Sequence, residues 1–364
     1  MTETKIGAHT IEEILSEPET WTRCLADLER TGRLQLLAKS LPNGIEWVFI
    51  GCGSSYYVAL SAAATWTLLT GEPARAVPAS EILLFPKILT SPCQPVLISR
   101  SGQTTEAVEA ALFLERELNI QTLGVTCGAG TPLEKVCSHL LLLPAADEKS
   151  TVMTRSFSSM LLALQALGAV RAGDAEFLES LGLLPEQTQR LLRPMETAIE
   201  SLAYSRKFAD YVFLAQGPFF GVAQESMLKV KEMSCSYAQC FHTLEFRHGP
   251  KTIVSAETLV TFFLSESGFA NEEAVLEEIK ALGGATLVIT NTADSLVRRS
   301  ADYLIELSLR VPEAARAAAA VIPGQLLGFY TGVRKGLNPD EPRNLTRVVT
   351  LEGGGGGGVE RAPA

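Results

Sequence analysis

The segment from residue 225 to residue 250 carries the side chains best suited to proton-transfer chemistry. Glu225, Lys229 and Glu232 are spaced i, i+4 and i+7, so on a helix all three point to the same side. His248 follows in a His-Gly-Pro sequence, where Gly and Pro predict the end of a regular element and a turn. Two carboxylates, one ammonium and one imidazole are a sufficient set for moving protons on a small molecule.

The same spacing has a simpler interpretation, because Glu–Lys pairs four residues apart are common on solvated helix faces. The neighbouring residues favour the interpretation as a proton-transfer site. Met227, Leu228, Val230 and Met233 are apolar and predict a mostly buried helix. Charged groups on a buried helix usually line a cleft or pair with another group. We therefore treat the charged residues of this helix as candidate catalytic residues.

Size and charge set limits on the function. The chain has 364 residues, enough for two domains with hydrophobic cores, and its 46% hydrophobic and 20% charged content is typical of a globular protein. The formal net charge of -10 argues against binding of a nucleic acid backbone. We expect a small-molecule ligand and no nucleic acid partner.

The cysteines and the N-terminus bear on the compartment. Seven cysteines are scattered without CxxC spacing, which favours a reducing compartment over a disulfide framework or a cysteine zinc site. The start, MTETKIGAHT, has neither the basic region nor the apolar run of a signal peptide, and no apolar segment has the length of a membrane span. These features predict a cytoplasmic location, no membrane association and no bound metal.

The plan of strand, small polar turn and helix occurs twice along the chain. Residues 47–63 and 95–127 show it first, and residues 210–230 and 259–291 repeat it, the second pair adding a further strand. The Ser-x-Ser-Gly turn at Ser99 returns at Ser265, 166 residues later. Strands that alternate with helices predict a parallel sheet. We therefore predict an α/β fold of two tandem domains, each a mostly parallel sheet flanked by helices in three αβα layers.

The predicted organisation has five parts. A long helical stretch from Thr151 to Tyr204 is the candidate connector, and Pro323-Gly324 is expected to break a late helix. The parts are an N-terminal helical cap (1–34), a first phosphate-binding domain (35–190), a second domain with the catalytic helix (191–340), a C-terminal active-site segment (341–352) and a disordered glycine-rich tail (353–364).

The turn Ser-Arg-Ser-Gly-Gln-Thr-Thr at 99–105, which we call the serine turn, offers hydroxyls and free N–H groups where a helix begins. The N-terminal end of a helix attracts phosphate. An ordinary helix cap by Ser101 or Thr104 needs only one hydroxyl, whereas this turn has four hydroxyl residues and Gln103. Ser54 and Ser55, at the start of the neighbouring helix, would add donors. The ligand would lie at the carboxyl edge of the sheet.

Other anion and cofactor sites are not expected. GCGSS at 51–55 lacks the third glycine of a dinucleotide fingerprint, and nothing matches a Walker A sequence. In the second copy of the serine turn, Glu266, Glu272 and Glu273 would repel a phosphate. The sequence thus predicts one anion site per chain, in the first domain, and no cofactor.

Six segments, in the same order, resemble the double sugar-isomerase (SIS) domain family. The segments are similar to those of the isomerase portion of glucosamine-6-phosphate synthases (glutamine–fructose-6-phosphate aminotransferases) and of stand-alone aminosugar-phosphate deaminase/isomerases. The resemblance covers residues 30–352. The segments are GCGSSYY, SRSGQTTEA, EKSTVMTRSF, ESMLKVKE, EFRHGP and NLTRVVTLE.

The resemblance implies a role for each candidate residue. Glu232 would be the base that shuttles a proton between C1 and C2, Lys229 would steady the C1 oxygen, and Glu225 would orient groups in the pocket. His248 would open the sugar ring from the neighbouring subunit of a homodimer. The residues implied to bind the 6-phosphate and nearby hydroxyls, or to line the pocket, are Ser55, Ser99, Arg100, Ser101, Thr104 and Thr151.

Two departures from the family pattern bear on the reaction. The synthases begin with a glutaminase domain that carries a nucleophilic Cys, whereas this chain begins MTETKIG, so glutamine-dependent amination is not expected unless a partner supplies ammonia. The Lys that forms a Schiff base in the family's C-terminal segment is replaced by Arg347, which cannot form an imine. Either Lys229 takes over, or the reaction passes through a plain enediol, or the protein mainly binds.

We therefore expect a phosphosugar isomerase of the aminosugar type that interconverts a hexose 6-phosphate between aldose and ketose, such as glucosamine 6-phosphate and fructose 6-phosphate. One alternative is a sugar-phosphate sensor that has lost its chemistry through the change at Arg347. Another is a deglycase acting on an amine-linked fructose 6-phosphate, which would use the same site.

Overall fold

A computed structural model describes residues 6–89 and 92–349. The strands are β1 (Glu46–Gly51), β2 (Ala74–Pro78), β3 (Cys93–Ile98), β4 (Leu123–Thr126), β5 (His139–Leu142), β6 (Asp210–Ala215), β7 (Tyr237–His242), β8 (Thr258–Phe263), β9 (Ala285–Thr290) and β10 (Tyr303–Glu306). The helices are α1 (Ala8–Leu15), α2 (Glu17–Thr31), α3 (Arg33–Ser40), α4 (Ser54–Thr70), α5 (Ala79–Leu84), α6 (Thr105–Leu112), α7 (Pro132–Val136), α8 (Arg155–Ala172), α9 (Ala175–Ser205), α10 (Phe219–Ser234), α11 (Phe269–Ala281), α12 (Ser295–Ser300), α13 (Ala317–Ala320) and α14 (Ile322–Arg334).

The strands form two five-stranded sheets, with the orders β2-β1-β3-β4-β5 and β10-β9-β8-β6-β7. Every pairing between these strands is parallel, and Phe49 of β1, for example, pairs with Ala76 of β2 and Val96 of β3. Strands β3, β8 and β9 are buried along their whole length, as expected for parallel sheets covered by helices on both faces. The predicted α/β architecture is confirmed.

Strand order determines where each sheet can bind a ligand. In the first sheet the chain passes from β1 to β2 on one side and then to β3 on the other, so the order reverses between β1 and β3. The second sheet reverses in the same way between β6 and β8. Open α/β sheets bind ligands outside the carboxyl ends of the strands at such a switch point. The serine turn after β3 and the start of α4 both lie there.

The N-terminal helices belong to the main core, although the sequence suggested a peripheral cap. Trp21 of α2 is fully buried, and its indole N–H donates a hydrogen bond of 2.8 Å to the Ser158 hydroxyl of α8. Helix α9 runs without interruption through the predicted domain boundary at position 190. The domain limits set from the sequence therefore remain predictions.

Helix α14 approaches α10 closely along a row of glycines at Gly324, Gly328 and Gly332. A Cβ atom added at Gly328 would lie only 2.6 Å from the Lys229 carbonyl oxygen of α10. The expected break in this region falls at Val321, and Pro323 lies in the first turn of α14, where its missing N–H costs nothing. The glycine row therefore sets the position of the helix that carries the charged residues.

We expect Gly328→Ala to destabilise the protein by about 1–3 kcal/mol, because the added methyl group must push α14 and α10 apart. Urea unfolding followed by circular dichroism measures this loss. Gly182→Ala in α9 is the matched control, since a Cβ there meets nothing within 4 Å. The control should gain up to about 1 kcal/mol from helix propensity. Equal stabilities for the two variants would contradict the close-packing explanation.

Glu17, at the start of α2, is a fully buried carboxyl group. Burial raises its pKa well above the usual value, and the charges of Glu148 and Glu225 add to the shift, while Ser158 and Gln325 beside it partly oppose it. A carboxyl whose pKa is raised on folding destabilises the folded state increasingly as pH rises above the unfolded-state pKa.

We therefore expect Glu17→Gln to stabilise the protein at pH 8 by about 1.4 kcal/mol for each unit by which folding raises the carboxyl pKa, because the amide does not ionise. The same substitution should have little effect at pH 4, where the unfolded chain also binds the proton. Thermal unfolding at the two pH values measures the difference. A stabilisation that does not change with pH would show that burial of the ionised form is not the cause.

Within the two described stretches of chain, no helix combines the length and the apolar character needed to cross a membrane. The same stretches contain no group of three or more His, Cys, Asp or Glu side chains arranged to hold a metal ion.

Candidate active site

A cavity of about 230 Å³ opens at the switch point of the first sheet and brings five parts of the chain together. The turn after β1 contributes Ser54 and Ser55, and α10 contributes Leu228 and Glu232. The serine turn contributes Arg100, Ser101 and Thr104. The loop before α8 contributes Thr151, and the C-terminal segment contributes Thr346 and Arg347. Glu232 and Ser101 of the serine turn thus line one cavity, although they are 131 positions apart in the sequence.

The three charged residues of α10 lie on one face, as their spacing predicts. Lys229 Nζ is 3.1 Å from Glu225 Oε1 and 2.5 Å from Glu232 Oε2. Ser54 donates to Glu225 Oε1 at 3.1 Å and accepts from Lys229 Nζ at 3.3 Å, which connects the group to α4. The side chains of Glu225 and Lys229 are fully buried, whereas that of Glu232 is 15% exposed. Glu232 is therefore the member of the three that a ligand can reach.

Burial raises the pKa of Glu225 to about 7, an effect that the Lys229 charge reduces and the Glu232 charge increases. Burial also opposes the charged form of Lys229, but the two carboxylates together outweigh it and raise the Lys229 pKa above its usual value. Lys229 is thus held as an ammonium ion. A protonated amine is a poor nucleophile, so this environment suits electrostatic support better than imine formation.

The serine turn is held by its own hydroxyl groups. Ser99 is buried; its Oγ accepts the Gly102 N–H at 3.2 Å and donates to Thr104 Oγ1 at 3.3 Å. Gly102 has a φ of +62°, and a Cβ there would collide with Thr131, so the turn requires glycine. Ser101 and Thr104 line the cavity, while Ser99 holds the turn closed beneath them.

The equivalent turn after β8 holds a carboxylate of the protein itself. There the Glu313 carboxylate accepts the N–H groups of Glu266 and Ser267 and the Ser267 hydroxyl, the last at 2.6 Å. In the turn after β3 the corresponding donors are the N–H groups of Arg100 and Ser101 and the Ser101 hydroxyl. Neither N–H group donates a hydrogen bond to a residue of the described chain. These donors remain available for an anion in the cavity.

The Arg100 side chain was expected to bind the phosphate, but its hydrogen-bond partners are groups of the protein. Its Nη1 is 3.4 Å from Glu148 Oε2 and donates to the carbonyls of Thr151 and Val152 at 3.1 and 3.2 Å. Its Nη2 donates to the Arg347 carbonyl at 2.8 Å. The guanidinium therefore ties the C-terminal segment to the wall of the cavity, and the Arg100 N–H is better placed to meet an anion than its side chain is.

The remaining predicted residues differ in their placement. Arg347 lines the cavity, and its Nη2 donates to Asp147 Oδ1 at 2.9 Å and to the Glu148 carbonyl. Thr151 also lines the cavity, whereas Gln103 is exposed and is not part of its wall. The C-terminal segment is described to Val349, so residues 350–352 and the predicted tail at 353–364 lie outside the described residues.

His248 is separated from the other candidates within one chain. It is exposed after a short 3-10 helix at Glu245–Arg247, and its N–H donates to the Glu245 carbonyl at 3.0 Å. It does not line the cavity that contains Glu232. The donation of His248 across a dimer interface remains a prediction.

Comparison with known proteins identifies the family. Residues 46–170 and 210–329 match the SIS domain. The chain belongs to the SIS domain family. The two matched segments contain all ten strands of the two sheets, and the serine turn and the charged face of α10 both lie within them.

Several SIS proteins resemble the chain over most of its length. Glutamine–fructose-6-phosphate aminotransferase of Pseudomonas putida is 32% identical over 320 residues, which cover 83% of this chain and 51% of that protein. The Methanothermobacter thermautotrophicus aminotransferase is 26% identical over 351 residues, which cover 94% and 57%. The chain thus spans little more than half the length of these curated relatives.

Two solved SIS structures are similar across the fold. A glucosamine-6-phosphate deaminase of Thermotoga maritima has a TM-score of 0.80 and 29% identity, covering 94% of this chain and 99% of that one. A tagatose-6-phosphate ketose/aldose isomerase of Escherichia coli has a TM-score of 0.83 and 22% identity, covering 95% and 97%. At this lower identity the second match supports the fold alone.

The sequence analysis did not select some of the residues that shape this SIS site. Glu148 is buried and accepts hydrogen bonds from Thr154 and Ser156, which fixes the loop that Arg100 holds. Glu13 of α1 accepts the Lys149 N–H at 2.5 Å and also bonds Ser150. The only available signal was the cluster of hydroxyl residues around Glu148, and nothing in the sequence of α1 distinguishes Glu13 from its neighbours.

Proposed function

We propose that the protein is a phosphosugar isomerase of the aminosugar type, which interconverts aldose and ketose forms of a hexose 6-phosphate, with glucosamine 6-phosphate and fructose 6-phosphate as the pair to test first. The observation that carries the proposal is the position of Glu232 in the cavity that the serine turn also lines. An anion-binding turn and a reachable carboxylate in one cavity are the two elements that such a reaction needs.

The phosphate would bind at the serine turn. The N–H groups of Arg100 and Ser101 and the hydroxyls of Ser101 and Thr104 supply its hydrogen bonds, and the start of α6 adds a favourable dipole. Ser55 lines the same cavity from the neighbouring turn. With the phosphate held there, the reacting end of the sugar extends toward α10.

Glu232 would act as the general base. It removes the proton from C2 of the aldose, the C2–H electron pair forms the C1–C2 double bond, and the C1 oxygen takes up a proton to give an enediol or enolamine. The protonated carboxyl then returns its proton to C1, while the C2 hydroxyl or amine loses one proton to give the carbonyl or the imine. A neutral glucosamine-derived imine at C2 would then be hydrolysed by water to the ketose and ammonia. One proton thus moves from C2 to C1 and one from the C2 hydroxyl or amine to the C1 oxygen, so the isomerisation consumes no net proton.

Lys229 would assist through Glu232. It is fully buried and does not line the cavity, so its ammonium lies behind the reacting carboxylate, at 2.5 Å from Glu232 Oε2. This position favours a role in orienting and balancing the charge of Glu232 over a direct contact with the C1 oxygen. Together with Arg347 in place of the family's Lys, it favours an enediol route over a lysine imine.

The family relatives support the same class of reaction. The similar proteins act, by their names, on fructose 6-phosphate and glucosamine 6-phosphate. The complete Glu225, Lys229 and Glu232 group argues for turnover over a sensor role, because a protein that only binds has no need of a base beside a buried ammonium. We also propose that the active form is a cytoplasmic homodimer in which His248 of one subunit completes the other's site.

The proposal is tested by incubating the purified protein with glucosamine 6-phosphate and measuring ammonia and fructose 6-phosphate. Formation of both supports the deaminating isomerase. A thermal-shift series with hexose 6-phosphates, run alongside, separates the alternatives: stabilisation by a sugar phosphate without any product would favour the sensor. Product from an amine-linked fructose 6-phosphate alone would favour the deglycase.

A further inference from the structure

The turn after β8 occupies the same place in the second sheet as the serine turn occupies in the first. Each follows a strand at the switch point of its sheet and precedes a helix, α11 or α6. Its sequence is Ser265-Glu266-Ser267-Gly268, and the Gly268 N–H donates to Ser265 Oγ at 2.9 Å, as the Gly102 N–H does to Ser99 Oγ. The two turns therefore share their local hydrogen bonding.

A carboxylate of the protein itself fills this second turn. Glu313 Oε1 accepts the Glu266 N–H at 2.5 Å and the Ser267 N–H at 3.3 Å, and Glu313 Oε2 accepts the Ser267 hydroxyl at 2.6 Å. Two backbone N–H groups and one hydroxyl converging on one charged group form a typical anion-binding turn. Glu313 comes from the 3-10 helix Glu313–Arg316, which follows the second sheet.

The surroundings leave little room for a further ligand while Glu313 is bound. The cavity at this edge of the second sheet measures about 10 Å³, against about 230 Å³ at the first. Arg316 lines it; the side chain is only 9% exposed, and its Nη1 lies 2.5 Å from Glu266 Oε1. The Arg316 guanidinium thus compensates the charge of the Glu266 carboxylate. The N–H and hydroxyl donors of the turn hold the Glu313 carboxylate instead.

We propose that the turn after β8 is a second site for a phosphate-class anion, which Glu313 keeps closed by taking the anion's place. Removal of the Glu313 carboxylate frees the N–H groups of Glu266 and Ser267 and the Ser267 hydroxyl beside the buried Arg316. Two nearby acids remain: the Glu266 carboxylate, which pairs with Arg316, and Glu272, which accepts the Ser265 N–H at 2.7 Å and its hydroxyl at 3.0 Å. Burial raises the Glu272 pKa to about 7, so near neutral pH this group is only partly charged.

The test counts inorganic phosphate bound per chain by equilibrium dialysis of the full-length protein with radiolabelled phosphate at pH 6.5. Glu313→Ala should bind one phosphate more than the wild type. The control is Glu277→Ala on α11, which removes the same charge from a half-exposed carboxylate and should leave the count unchanged. Should Glu313→Ala not fold, Glu313→Ser provides the same comparison, and far-UV circular dichroism checks both.

A folded Glu313 variant with the wild-type count would overturn the proposal, as would an equal gain in Glu277→Ala. The result is separate from that for the proposed function. A wild-type protein that binds no phosphate would contradict the site at Ser101, whereas the difference between the Glu313 variant and the wild type reports only on the second turn.

Discussion

Glu232→Gln is expected to lower kcat by about 10²- to 10⁴-fold, the usual contribution of a positioned general base. The amide has almost the same shape as the carboxylate and its oxygen can still accept from Lys229, so the fold and the cavity should be retained. The dissociation constant for the sugar phosphate should change only a few-fold, because the serine turn, which would hold the phosphate, is untouched.

The measurement is steady-state kinetics together with binding of the sugar phosphate by calorimetry. Glu186→Gln on α9 is the control and should behave like the wild type, because its side chain is 74% exposed and does not line the cavity. A parallel loss of turnover and binding in Glu232→Gln would indicate a structural role and argue against a base.

Lys229→Met is expected to destabilise the protein by about 3–5 kcal/mol, the cost of removing one partner from a buried ion pair. The ammonium is the only recorded cationic partner of Glu225 and Glu232 within the described chain, and Lys229 and Glu225 are both fully buried. Without it, two carboxylates would face each other in an apolar setting, which strongly disfavours their charged forms.

The loss in Lys229→Met should depend on pH. The pKa of Glu225 is already raised to about 7, and removal of the neighbouring positive charge would raise it further. A raised carboxyl pKa lowers folding stability as pH increases above the unfolded-state value of about 4.3. The destabilisation should therefore be larger at pH 8 than at pH 5, which urea unfolding at both pH values measures.

Arg190→Met on α9 is the matched control for Lys229→Met. It also removes a cation that pairs with a glutamate on the same helix, but both side chains are more than 70% exposed. Such a surface pair contributes about 0–1 kcal/mol. Similar losses in the two variants, or a Lys229→Met loss that is independent of pH, would contradict the buried-pair explanation.

The sequence was sufficient for the features that depend on local pattern. The spacing of Glu225, Lys229 and Glu232 predicted a shared helix face, and the hydroxyl-rich turn at Ser101 was expected at the carboxyl edge of the sheet, where the structure has a cavity. Both follow from the periodicity of helices and from the direction of parallel strands, which place such residues without any knowledge of distant contacts.

The features that depend on packing between distant segments could not be predicted. Arg100 was expected to bind phosphate, but its guanidinium bonds carbonyls of residues that are about 50 and 247 positions away. The glycine row of α14 was interpreted only as part of a broken helix, although Gly328 sets its distance from Lys229. His248 illustrates a further limit, since its predicted partner is a second subunit.

Glu313 shows what the sequence argument about the second turn left out. The acidic residues near Ser267 predicted that the second turn would not bind phosphate, on grounds of repulsion. The structure adds a more specific reason, because the turn already holds a carboxylate through its N–H groups. Glu313 lies 46 positions beyond Ser267, so no local pattern could have connected the two.

The central claim is that Glu232 moves the proton of a sugar anchored at the serine turn. The most direct measurement is proton NMR of a hexose 6-phosphate incubated with the protein in D₂O, which follows deuterium entering at C1 and C2. The wild type should exchange these hydrogens with solvent during isomerisation, and Glu232→Gln should bind the same sugar phosphate without exchanging them. Undiminished exchange in Glu232→Gln with intact binding would contradict the account.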